Sequence, residues 1–145
     1  MNSDKERTLR LRRVLDAPRE RIFELWTDPE AITHWFGGES TVVEQVEIDL
    51  RVGGEYSITV REEEGYSVVS GEFLFVEAPE RLVYTWTMRG PVLESGENVV
   101  RVAFRSLGDQ TEILITHGPF EEPDVQNAHQ QGWEVCVEAL QPLIS

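Results

Sequence analysis

PDVQNAHQQGWEVCVEALQP, residues 123–142, is the stretch whose reading decides the fold. Its apolar and near-apolar members Val125, His129, Trp133, Cys136, Val137 and Leu140 recur at three- and four-residue steps, which lays one stripe along an α-helix. Gln126, Gln130, Gln131, Glu134 and Glu138 take the other face. The helix is expected from Asp124 to about Leu140, entered at Pro123 and closed by Pro142. About 17 residues at 1.5 Å each span roughly 25 Å, the width of a small domain.

Upstream, the chain reads as short strands that need a cover. Leu9, Leu11 and Leu15 share a parity in the first, with Arg13 a charge among them. Two short helices follow: one after Pro18 with Ile22, Phe23 and Trp26 inward, one capped by Asp28 with Ile32, Trp35 and Phe36 inward, stopped at Gly37-Gly38. From Thr41 the pattern is alternation broken by turns. Val42, Val46, Ile48 and Leu50 come first, then Tyr56, Ile58 and Val60, then Val69, Phe73 and Phe75 on one side with Gly71 marking a bulge or bend. Leu82, Tyr84, Trp86 and Met88 follow, then a loop over 89–97, then Val100, Val102 and Phe104, and lastly Ile113, Ile115 and His117. The α+β class follows: a curved antiparallel seven-stranded sheet wrapped around a long C-terminal helix, with two short helices after the first strand.

Seven strands about 4.8 Å apart make a sheet roughly 30 Å wide. One helix about 10 Å across cannot cover it. An incompletely filled interior with an aromatic wall is therefore expected.

At 145 residues the chain reads as one domain, 1–145. Thirteen basic against 27 acidic residues leave a formal charge of −14, which argues against nucleic acid and anionic membranes. The single cysteine, Cys136, excludes an internal disulfide and a thiolate metal cluster. A charged opening through Arg13 and no long apolar run point to the cytoplasm, with no membrane insertion.

Residues 15–30, LDAPRERIFELWTDPE, followed by His34-Trp35-Phe36-Gly37, resemble the opening of the Hsp90 ATPase activator homologue-like family, within the START-like or SRPBCC helix-grip superfamily. RVGGEY at 51–56, PERLVYTW at 79–86, TEILITH at 111–117 and Gly132-Trp133 extend the similarity from about Thr8 to Leu143. The resemblance implies a bent sheet, its first strand beside its last, gripping the C-terminal helix over an apolar cavity. It implies hydrophobic small-molecule binding, a chaperone partner whose ATPase is stimulated, or polyketide-cyclase-like chemistry. The resemblance implies an additional N-terminal chaperone-binding domain in the eukaryotic activator, which is not expected within these 145 residues.

The ligand-binding residues expected on this basis are Trp26, Trp35, Phe36, Tyr56, Ile58, Phe73, Phe75, Tyr84, Trp86, Met88, Phe104, His117, His129, Trp133 and Val137. No catalytic residue, metal or cofactor is assigned, and the oligomer is monomer or homodimer. His117 and His129 each read as a hydrogen-bonded structural histidine or as a polar ligand contact, the first favoured. Arg13 reads as salt-bridged to a carboxylate, Glu134, Glu138 or Glu44 being candidates, or as meeting an acidic head group; Glu44 alternatively marks a bulge. Cys136 reads as core. An enzyme would have only His117, His129, Glu44, Tyr56 and Tyr84 for proton transfer.

Overall fold

The computed structural model describes residues 7–38 and 41–144. The charged opening before Arg7 lies outside the described residues. The order is β1 (Leu9–Leu15), α1 (Arg19–Thr27), α2 (Pro29–Trp35), β2 (Val42–Ile48), β3 (Glu55–Glu62), β4 (Gly65–Glu77), β5 (Arg81–Arg89), β6 (Ser95–Leu107), β7 (Gln110–Gly118) and α3 (Pro123–Ile144). The loop expected over 89–97 is shorter, because β6 already pairs Ser95 with Met88.

The strands form one curved antiparallel sheet in the order β1-β7-β6-β5-β4-β3-β2. Strands β2 to β7 are joined as successive hairpins. β1 closes the far edge, Leu9 facing His117 and Leu15 facing Thr111. The helices α1 and α2 carry the chain from one edge to the other. Asp28 caps α2, accepting the Glu30 N–H at 3.3 Å, and Pro29 begins it. Gly37 and Gly38 then turn the chain at φ of +80° and +75°.

The long helix α3 leans on β1 and α2, its stripe of His129, Trp133, Cys136, Val137 and Leu140 buried as the spacing predicts. Its end differs from expectation: the helix runs through Pro142 to Ile144. A proline in the last turn forfeits a single bond, to the Glu138 carbonyl, and Leu143 and Ile144 gain packing against the core. Among the described residues, no helix is long and apolar enough to cross a membrane.

Two parities break. On β4 the register shifts between Phe73 and Phe75, so Phe75 turns outward, 39% exposed beneath the Arg81 guanidinium at 5.4 Å. An extra residue in a strand sends everything after it to the other face. On β2 the register shifts at Glu44, which is thus a bulge, ion-paired with Arg61 at 2.8 Å. Gly71 is a site of close approach, since a Cβ there would lie 2.0 Å from the Thr85 carbonyl oxygen. Arg13 forms no ion pair among the described residues and donates to the Arg12 carbonyl at 3.1 Å. The carboxylate on that edge, Glu112, is bridged by Arg12 and Arg105 instead, at 3.1 and 3.4 Å.

Candidate functional site

The interior expected to be hollow is filled by indoles. Trp26 of α1 stacks on Trp133 of α3 with centroids 5.9 Å apart and planes 11° from parallel. Trp35 packs on Trp26 at 4.9 Å and donates its N–H to the Leu25 carbonyl at 2.8 Å. Trp26 donates to the Tyr84 hydroxyl at 3.3 Å. What remains is a void of about 40 Å³, bounded by Trp26, Trp35, Tyr56, Ile58, Phe73 and Tyr84 among others. That volume suits about two or three waters and no organic ligand. The large enclosed cavity expected from sheet width is thus closed by side chains, because four tryptophans bring more volume than a helix cylinder counts. Phe104, His117 and Val137 are buried in the core and do not line this void, and Phe75 faces solvent.

The room lies at the side of the helix. A cleft of about 490 Å³ separates α3 from β3, β4 and β5. Phe36, Trp86, Met88 and Trp133 give it an aromatic and thioether floor, with His129 against it. Val60, Val69, Leu93 and Val135 add apolar walls, and Thr41, Glu62 and Gln131 bring polar groups. Five of the residues expected from the sequence therefore meet here: Phe36, Trp86, Met88, His129 and Trp133. Gly132, Cys136 and Glu62 were missed as lining. Glu62 had a signal, since it continues the inward parity of Tyr56, Ile58 and Val60. Gly132 had one too, as the residue without a side chain beside Trp133. A larger hollow, about 640 Å³, opens where β6 begins and is bordered by Glu94, Glu97, Glu121 and Glu122 with Arg7.

Two histidines tie the helix to the sheet. Trp133 donates its indole N–H to His117 Nδ1 at 3.0 Å, so His117 carries its proton on Nε2 and donates to Asn98 Oδ1 at 2.8 Å. Trp86 donates to His129 Nε2 at 3.2 Å, so His129 donates from Nδ1 to the Val125 carbonyl at 2.9 Å. Both imidazoles are thus held neutral in opposite tautomers. Burial, helped by the neighbouring His129, lowers the His117 pKa to about 2. Burial also lowers that of His129, opposed by the Val125 carbonyl. Burial raises the tyrosines Tyr56 and Tyr84, and lifts the Cys136 thiol to about 11 against the bond it accepts from the Gly37 N–H. The Tyr56 hydroxyl donates to the Thr85 carbonyl at 2.7 Å. The groups expected for proton transfer, His117, His129, Tyr56, Tyr84 and Glu44, each hold a hydrogen bond or ion pair within the fold. Among the described residues, no three His, Cys, Asp or Glu side chains are grouped to hold a metal.

A curved antiparallel sheet closed on a C-terminal helix, with two short helices between its first strands, defines the START-like helix-grip class. The chain belongs to the family described as activator of Hsp90 ATPase homolog 1-like protein, whose model matches residues 16–145. Among solved structures it is similar to protein CV1439 of Chromobacterium violaceum, at 27% identity over 94% of this chain and 96% of that one, with a TM-score of 0.84. CalU16 of Micromonospora echinospora is 25% identical over 95% of this chain and 76% of that one, TM-score 0.72. An AHSA1 protein of Silicibacter pomeroyi shares the fold at 22% identity, covering 94% and 96%, TM-score 0.82. No curated protein matches the chain.

Proposed function

We propose that the protein binds an apolar or aromatic small molecule in the cleft between α3 and β3–β5. The observation that carries this is the cleft itself: about 490 Å³, floored by Phe36, Trp86 and Trp133 in a wall of aliphatic side chains. Small-molecule sites fall in the range of roughly 300–1,000 Å³ and are apolar with few polar groups. Each 100 Å² of apolar ligand surface buried there contributes about 2.5 kcal/mol before the costs of association. The commitment of His117, His129, Tyr56 and Tyr84 to internal hydrogen bonds favours binding over acid–base chemistry. In this reading residues 1–145 act as one START-like domain in the cytoplasm, as monomer or homodimer, without metal or cofactor.

The test is titration with a neutral fluorescent probe, N-phenylnaphthylamine, following quenching of tryptophan. One saturable site is expected, abolished by Gly132→Trp, because Gly132 lines the cleft and a Cβ there meets nothing within 4 Å. Undiminished binding by that variant overturns the location.

A second reading, engagement of a basic patch on an Hsp90-type chaperone, is favoured by the family and by the hollow bordered by Glu94, Glu97, Glu121 and Glu122. A salt-sensitive complex and a raised chaperone ATPase rate are expected; an unchanged rate removes it.

A further inference from the structure

We propose that the cleft selects a cationic ligand, a hydrophobic amine whose flat body lies on Phe36, Trp86 and Trp133 and whose protonated nitrogen meets Glu62. This deepens the ligand reading above and rests on it.

Glu62 is the last residue of β3, on the parity whose other members, Tyr56, Ile58 and Val60, are buried. Its neighbour Arg61 is exposed and ion-pairs with Glu44. One oxygen of Glu62 accepts from the Ser67 hydroxyl at 2.6 Å. Ser67 is itself buried, and packed so closely on the chain at Gly90 that a Cβ there would lie 2.2 Å from its Oγ. The carboxylate is therefore held in place by a neutral donor, and among the described residues no cation pairs with it. Its charge is left for something that enters.

Nothing in the described lining supplies the opposite preference. The cleft has no arginine or lysine in its wall. His129 does not substitute for one, since Trp86 occupies Nε2 and Val125 occupies Nδ1. An anion would sit beside Glu62 without a counter-charge, at a desolvation cost it could not recover. A cation gains twice, from the carboxylate and from the negative faces of the indoles. The formal charge of −14 draws cations toward the surface as well.

Three matched ligands test this by calorimetry at neutral pH: naphthylmethylamine, naphthylmethanol and naphthoate. The amine is expected to bind about five- to tenfold tighter than the alcohol, and naphthoate weakest. Glu62→Gln, which keeps an acceptor for Ser67, is expected to remove most of the gap between the amine and the alcohol. High salt is expected to narrow the gap in the unaltered protein, which keeps the test decisive should the variant fold poorly. An alcohol or naphthoate that binds as tightly as the amine, a preference that survives Glu62→Gln, or one indifferent to salt overturns the charge inference alone. Silence from all three ligands overturns the ligand reading of the cleft and this inference with it.

Discussion

Trp133 donates its indole N–H to Nδ1 of His117 at 3.0 Å, and this bond fastens the long helix to the last strand. The same indole stacks on Trp26 and packs against Trp86 at 5.5 Å, so one side chain joins helix, sheet and α1. Trp133→Phe keeps an aromatic ring but leaves His117 Nδ1 buried without a donor. We expect a loss of about 2–4 kcal/mol in urea unfolding, the sum of a stranded acceptor and lost volume.

Stability is expected to fall as pH drops. The folded state holds His117 neutral, with a pKa near 2, while the unfolded chain takes up a proton near 6.5. The stabilisation is fully present above 6.5 and drains away below it. From pH 6.5 to about 5 the loss from His117 alone is about 2 kcal/mol, and His129 adds in the same direction. Urea midpoints across this range check it, and His117→Asn should flatten the slope whatever it does to the absolute stability.

Gly71→Ala is expected to destabilise by about 1–3 kcal/mol. Its Cβ would lie 2.0 Å from the Thr85 carbonyl, which the Tyr56 hydroxyl also uses. The neighbouring strand must move or the bend must open. Thermal unfolding of the variant reads the cost.

Gly132→Ala works the other way. Gly132 sits inside α3, and its added Cβ meets nothing within 4 Å. A gain of about 0.5–1 kcal/mol is expected from helix propensity, measured by the denaturant midpoint.

Cys136 is buried with its thiol raised to about 11. Iodoacetamide should label it slowly in the native protein and at the ordinary rate in urea, as mass spectrometry would show.

Several elements were legible because their signals are local. Asp28-Pro29 announces a helix start through one cap and one fixed φ, and α2 begins there. The stripe from His129 to Leu140 depends only on the period of a helix, and that face is the buried one. The failures share a different cause. Pro142 reads as a stop until Leu143 and Ile144 find a core to pack on. Phe75 shares the parity of Phe73 in the sequence, and a register shift set by the pairing of β4 with β5 turns it outward.

The candidate site divides along the same line. Alternation and helical period determine, from the residues alone, which side chains face the concave side of the sheet: Trp86, Met88, Tyr56 and Trp133 belong there by period. Whether the space between them stays open is a matter of volume and rotamer among partners far apart in the chain. Trp26 and Trp133 meet face to face and close the centre, and the free room moves to the flank beside Gly132 and Glu62. Face membership is periodic and written into the chain; packing is collective, and only the tertiary structure decides it.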